Sequence, residues 1–229
     1  MLTMITLTGD RQWAFSLCEK YMARQTVRWG NWLVIDDGYE PTVTTLDQQV
    51  IRLSPGLPPK ESFRRNMQVA LSHGGSVPRG DKILFIEDDD WYSRWHIELM
   101  NAQLDNCVLA GEGRAKYYNV KQRKFLVHPN NAHASLCQTG FKGDDIRRLA
   151  LSYLTTASAP EMLDGHIWKR AGVVDTIKRL NPTSTTTVGI KGAPGRGGLG
   201  GHHVELPPQY RDDADASVLK LWLAEDAHH

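Results

Sequence analysis

The sequence predicts an α/β protein: a mostly parallel sheet flanked by helices, with a smaller mixed second half. Two observations carry that expectation. Compact apolar runs alternate with helix-period stretches through the first half, the signature of strand–helix–strand units. Several of the early apolar runs also end abruptly in polar turns. Those turns are expected to share the carboxyl edge of the sheet, where ligands of such sheets gather.

Residues 3–8 (TMITLT) read as the first strand, broken at Gly9-Asp10. Asp10 is expected to cap a helix in which Trp13, Leu17 and Tyr21 recur at intervals of four on one face. Residues 32–35 (WLVI) form a second buried strand before the turn Asp36-Asp37-Gly38. QQVIRL is a third strand, stopped by SPGLPP. From Lys60 to His73, Phe63, Met67 and Leu71 repeat at helical spacing, and KILFI is a fourth strand running straight into Glu87-Asp88-Asp89-Asp90. In the second half, CVLAGEG, AKYYNV and KFLV read as short strands of a meander beside the parallel part. PEMLDGHIWKRAG starts a helix with Asp164 in its first turn, TTTVGI is a late strand, and ADASVLKLWLAEDA a final amphipathic helix. No repeat or linker stands out, so residues 1–229 are expected to form one domain.

Composition excludes some classes. The chain has 229 residues with 41% hydrophobic and 23% charged, ordinary globular values, and a formal net charge of +1. No global basic field marks it as a nucleic-acid binder, although a local basic groove stays open. No apolar run approaches the ~18 residues of a membrane span, and the start lacks the basic-then-apolar order of a signal peptide. Cys18, Cys107 and Cys137 are few, odd in number and widely spaced, which argues against a disulfide framework. A soluble, cytoplasmic protein is expected.

The row of four acids has three readings. One is a solvated turn that caps the next helix, but four carboxylates exceed what a cap needs. A second is a divalent-metal site in which hard oxygen ligands hold magnesium or manganese that bridges phosphates. A third is an aspartyl-nucleophile phosphatase of the haloacid-dehalogenase type. That family expects D-x-D-x-T/V, and here Tyr92 stands where Thr or Val belongs. The metal reading is favoured.

The series MITLTGDR, WLVIDDG, FRRN and ILFIEDDDWY resembles family 2 of the nucleotide-sugar glycosyltransferases, which have the GT-A fold. Members show a VDDGS-like turn, an ARN-like helix and a strand ending in LDxDD. The counterparts here are Asp36-Asp37-Gly38, Arg65-Asn66 and the acids 87–90, in matching order over roughly the first hundred residues. Tyr39 replaces the usual Ser, and Glu87 stands where Asp is common. The resemblance implies that residues up to about 105 bind the nucleotide and the remainder carries the acceptor and catalytic part. It places Thr8 and Asp36 near a base, uracil above others, Asp37 in the nucleotide-sugar site with them, Arg65 near the base or diphosphate, and Asp88 at the ribose. Asp89 would ligate Mn2+ or Mg2+ with Asp90 beside it. A bound cation stabilises the charge that grows on a leaving diphosphate.

An inverting transfer also needs a base for the acceptor hydroxyl. EMLDGHIWKRAG resembles the family's EDxxLxxR segment and makes Asp164 that base, with Glu161 as the fallback, whereas Asp144-Asp145 read as capping acids. Residues 195–200 (GRGGLG) match the dinucleotide fingerprint, but the prolines 207–208 leave no room for its helix. The stretch reads instead as a glycine-rich loop. In similar enzymes a late loop closes over the diphosphate, with Lys191 and Arg196 here for phosphate charge and His202 and His203 as metal ligands. His128, His133 and Cys137 make a weak zinc pattern, and Trp91, Tyr92 and Trp95 offer either an acceptor platform or core packing.

The compact form resembles glycosyltransferases encoded by phages and prophages, which would act in the host-cell cytoplasm. That resemblance makes a hydroxymethylated pyrimidine in DNA a candidate acceptor. Lys121-Arg123-Lys124, Arg147-Arg148 and Lys169-Arg170 could follow a phosphate backbone, and a glycan or protein acceptor is the alternative. Two other classes stay open: a metal-dependent nucleotide phosphohydrolase, and a non-catalytic nucleotide-sugar binding module.

Overall fold

The structure, a computed structural model, describes residues 1–73, 81–128, 132–171, 178–181, 186–194 and 206–224. The chain opens with β1 (Leu2–Thr8), α1 (Gln12–Ala23), β2 (Asn31–Asp36), β3 (Gln49–Arg52), α2 (Pro59–Ser72) and β4 (Lys82–Phe85). It continues through β5 (Trp91–Tyr92), α3 (His96–Asn106), β6 (Leu109–Glu112), β7 (Ala115–Asn119) and β8 (Lys124–His128). The remaining elements are β9 (Thr139–Lys142), α4 (Asp144–Thr156), α5 (Leu163–Ala171), β10 (Lys178–Asn181), β11 (Thr187–Lys191), β12 (Arg211–Asp212) and α6 (Ser217–Ala224).

The larger sheet has the order β3-β2-β1-β4-β9-β6-β10. Its first four strands are parallel, and β9 runs antiparallel between β4 and β6. Side chains alternate across this sheet with period two, as the pleat requires. Ile5, Leu33 and Ile35 face one cluster with Met67 and Leu71 of α2, Ile146, Ala150 and Leu154 of α4, and Ile167 and Trp168 of α5. Met4, Trp32 and Val34 face the other, with Phe15, Cys18 and Met22 of α1 and Ile97, Met100 and Leu104 of α3. Covered on both faces, the central strands need the near-continuous apolar runs seen in the sequence. Each fully buried side chain of this size contributes about 1.5–3 kcal/mol.

The smaller sheet has the order β12-β8-β7-β11-β5. It rests on Trp91, Tyr118, Val188 and Trp222, with the Phe125 ring edge-on to Trp222 at 5.7 Å. Because β5 directly follows the acidic turn and pairs antiparallel with β11, this sheet returns Lys191 to the end of β4.

Three local expectations change. Asp10 does not cap α1: it lies at φ 56°, and its Oδ1 accepts from Tyr39 N at 2.8 Å. The buried stripe of α1 is Ala14, Phe15, Cys18 and Met22, while Trp13 is exposed. Both stripes have helical spacing, but the one carrying small Ala14 and Cys18 lets the helix sit close on the sheet. Finally, the CVLAGEG strand leaves the expected meander: β6 joins the larger sheet, and only β7 and β8 pair as a hairpin. No helix among the described residues is long and apolar enough to cross a membrane.

Candidate active site

Three polar turns meet where β1, β2 and β4 end. Register places Thr8 opposite Asp36, and Ile5 opposite Phe85, so the turn after β4 lies beside the turn after β1. The first two turns pack backbone to backbone. A Cβ on Gly9 would stand 2.8 Å from Gly38 N, and one on Gly38 would stand 2.6 Å from Asp10 N. Glycine is required at both for that close approach.

Each acid in the first two turns is held by its own frame. Asp36 is fully buried and accepts from Gly38 N at 2.9 Å, Thr42 N at 2.7 Å and Arg52 Nη1 at 2.6 Å. It therefore shapes the loop after β2. Asp37 accepts from the Ser62 hydroxyl and from Arg65 Nη2 at 3.2 Å, both on α2. Arg65 also donates to Ser54 O at 2.8 Å.

The third turn holds the acidic row. Asp88 and Asp90 are buried, whereas Glu87 and Asp89 keep partial exposure. Asp88 accepts from the Thr8 hydroxyl at 2.6 Å and pairs with Arg11 Nη2 at 2.6 Å, while Arg11 Nη1 reaches Asp89 at 3.2 Å. Asp90 Oδ1 accepts from Ile190 N at 2.8 Å and stands 3.4 Å from Lys191 Nζ. The Tyr92 hydroxyl accepts from Glu87 N at 2.7 Å, which fixes the bend of the turn.

The electrostatics follow from burial and crowding. Burial, then Asp90, pushes the Glu87 carboxyl well above the usual range. Burial raises Asp88 to about 6 although Arg11 and Thr8 oppose it. Burial also raises Asp90 against the pull of Lys191. Burial pulls the Arg11 guanidinium down, but the acids of the row, led by Asp88, outweigh it and hold it firmly charged. Lys191 is held charged in the same way, with Asp90 foremost among the acids. Four carboxylates thus face two cations, a surplus of two carboxylates among the described residues. Asp90 Oδ2 is buried without a well-formed hydrogen bond. Surplus carboxylates and an unsatisfied carboxylate oxygen both fit a divalent cation.

Asp164 stands across from this row in the first turn of α5. Its Oδ1 accepts from Gly165 N at 2.7 Å, burial raises its pKa, and its charge is felt by Glu87. Glu161 is instead paired with Lys60 at 2.6 Å, and Asp144 and Asp145 lie in the first turn of α4. Trp91 and Tyr92 are core residues, which leaves half-buried Trp95 as the exposed ring of the three. Arg196, His202 and His203 lie outside the described residues.

Sequence reading missed Arg11, Arg52 and Ser62, and it grouped Cys137 with His128 and His133 rather than with the acidic row. Arg11 was legible in principle: a basic residue in the turn after β1 sits beside the end of β4 in any parallel β1–β4 pair. Cys137 carried no such signal, because it arrives through the antiparallel β9.

No family model and no curated protein matches the chain. Its fold matches crystal structures of S. aureus TarS. TarS 1–349 in complex with UDP-GlcNAc aligns with a TM-score of 0.56 at 13% identity, covering 82% of this chain and 58% of that one. TarS 1–349 in complex with UDP aligns with a TM-score of 0.56 at 12% identity, covering 82% and 60%. This chain therefore spans less than two thirds of those chains. The likeness is one of fold: the Rossmann-like α/β architecture seen in TarS.

Proposed function

We propose that the chain moves a sugar from a nucleotide donor of the UDP class to a hydroxyl acceptor, with a divalent cation, Mn2+ or Mg2+, at the acidic row. The observation that carries this reading is the surplus of buried and half-buried carboxylates at the end of β4, beside the polar turns of β1 and β2. The same fold in TarS is recorded with UDP and with UDP-GlcNAc, which supports the donor class.

In this reading Thr8 and Arg11 hold Asp88 toward the nucleoside, and Asp36, Asp37 and Arg65 frame the loop that receives the base. Asp89 and Asp90 would hold the cation, with His202 or His203 from the later segment. That cation supplies Lewis-acid stabilisation of the departing diphosphate. Lys191 adds fixed positive charge beside Asp90, with Arg196 assigned the same task. Asp164 takes the proton of the attacking hydroxyl. Its raised pKa makes it a stronger proton acceptor than an exposed aspartate, and one carboxylate acting on the acceptor side gives inversion.

A hydroxymethylated pyrimidine in DNA, modified by a phage-encoded enzyme in the host cytoplasm, is the first acceptor to test. The exposed Lys169-Arg170 pair ends the helix that carries Asp164 and supports it. A glycan or protein hydroxyl is the second reading. Arg123 donates to Ala214 O, Lys124 pairs with Asp212, and Arg148 pairs with Asp145, so those charges are engaged within the chain.

Acceptor-dependent release of UDP from UDP-GlcNAc and related donors tests this directly. Asp164→Asn is expected to lower transfer by about 10²–10⁴ while nucleotide binding persists. Free phosphate released without sugar transfer would instead point to a phosphohydrolase. An α-linked product from an α-linked donor would remove the inverting assignment.

A further inference from the structure

The acidic row has an inner side of which the donor reading uses only Asp90. Cys137 lies in the short 3-10 turn Leu136–Gln138 just before β9, and β9 pairs antiparallel with β4. That pairing carries a residue distant in sequence to the acids. One carboxylate oxygen of Glu87, one of Asp90 and Cys137 Sγ all lie within 4.8 Å of one another. Donors sharing one tetrahedral ion stand roughly 3.3–3.8 Å apart for bond lengths of ~2.0–2.3 Å, so modest side-chain adjustment closes the set.

A second observation points to a ligand here. Asp90 is 1% exposed, and its Oδ2 accepts no well-formed hydrogen bond. The weak donor alongside that carboxylate is the Cys137 thiol. Buried carboxylate oxygens are rarely left in that condition unless an ion or water completes them. Glu87 keeps partial exposure, so an ion can reach the site from the cleft.

We infer that Glu87, Asp90 and Cys137 form a cation site with two carboxylate ligands and one thiolate, selective for a thiophilic divalent ion such as Zn2+ or Co2+ over Mg2+. Because Asp90 is shared, the inference deepens the proposed donor site by replacing Mg2+ there with a thiophilic ion, and it rests on that reading for the use made of the ion. Its selectivity has a simple basis. Magnesium takes oxygen ligands in octahedral geometry and sheds water reluctantly, whereas a soft thiolate favours zinc-like ions. When the ion binds, the Cys137 S–H proton leaves to solvent and a sulfur–metal bond forms, with no change of oxidation state. Three protein ligands leave a fourth position open toward the cleft.

Cobalt titration of the full chain, followed by absorbance, tests the site. A near-ultraviolet thiolate-to-cobalt band is expected in wild type, Cys18→Ser and Cys107→Ser, and is expected to vanish in Cys137→Ser. Zn2+ should displace the cobalt, and about hundredfold more Mg2+ should not. In Cys137→Ser, Zn2+ binding should weaken by more than the ~10-fold typical of losing an outer partner. Cobalt binding without the band, a band that survives Cys137→Ser, or displacement by Mg2+ would overturn the inference.

Should Cys137→Ser fail to fold, the cadmium-113 resonance of the wild type reads sulfur ligation without a substitution. A downfield, sulfur-bound shift is expected, and an oxygen-only shift overturns the site. UDP-dependent stabilisation of the same samples separates the two proposals. The band without a UDP effect supports the site and counts against the donor reading. A UDP effect without the band leaves the donor reading and overturns the thiolate site.

Discussion

Asp88 and Asp89 face Arg11, while Glu87 and Asp90, which flank them in the same turn, face a thiol and one lysine at 3.4 Å. The inner pair of the row is thus held by a short guanidinium contact and a hydroxyl. The outer pair also has one cation for its two acids, but only at 3.4 Å. One sequence of four acids therefore yields a short structural ion pair and, beside it, the proposed cation site. What separates them is which neighbouring element arrives: the turn after β1 brings Arg11, and β9 and β11 bring Cys137 and Lys191.

Breaking the guanidinium side should have the largest effect. Arg11→Met leaves Asp88 buried beside three other acids without its cation. Losing one partner of a buried pair costs about 3–5 kcal/mol. Denaturant unfolding at neutral pH measures this, and a loss below about 1 kcal/mol would show that Asp88 does not depend on Arg11.

A third arrangement sharpens the contrast. Glu112 is buried with neutral donors as its hydrogen-bond partners, and Lys116 acts on it less strongly: Thr186 N lies at 2.8 and 2.9 Å from its two oxygens, and the Thr186 hydroxyl at 2.8 Å. Burial outweighs these donors and raises its pKa from 4.5 to about 7. The unfolded chain releases this proton near 4.5 and the folded chain keeps it to about 7, so the folded state binds more protons in between. Stability from this group is full below 4.5 and is lost as pH rises through about 7. The change amounts to up to about 3 kcal/mol. Glu112→Gln should reduce the slope of a melting-temperature series against pH, with the raised Glu87 and Asp88 carrying the remainder, and an unchanged slope would show that Glu112 contributes none of it.

The Arg11 side and the Cys137–Lys191 side were unequally legible in the sequence. Apolar runs ending in TGD, DDG and EDDD fixed strands β1, β2 and β4 and the meeting of their turns, because parallel pairing leaves little freedom once consecutive strands are found. Helix faces were less secure: Trp13, Leu17 and Tyr21 have the same spacing as the stripe that is buried. The second half was harder for a topological reason. β9 inserts between β4 and β6, so β6 joins the larger sheet, and no local pattern encodes a pairing partner so distant in sequence. Cys137 and Lys191 reach the site by such pairings, and Asp164 arrives on a helix packed against α4. The individual residues were visible. Their company was not.

The central claim is that the acidic row, with Asp90 as a ligand, binds a cation that in turn carries a nucleotide diphosphate. Thermal stability of wild type and Asp90→Asn with UDP, GDP, CDP and ADP, each with and without Mn2+, tests it most directly. A ligand that binds only the folded chain stabilises it by about 2.7 kcal/mol at a hundredfold excess over its Kd. The account predicts a metal-dependent gain with UDP in wild type that disappears in Asp90→Asn. No gain with any nucleotide, or the same gain in Asp90→Asn, would contradict it.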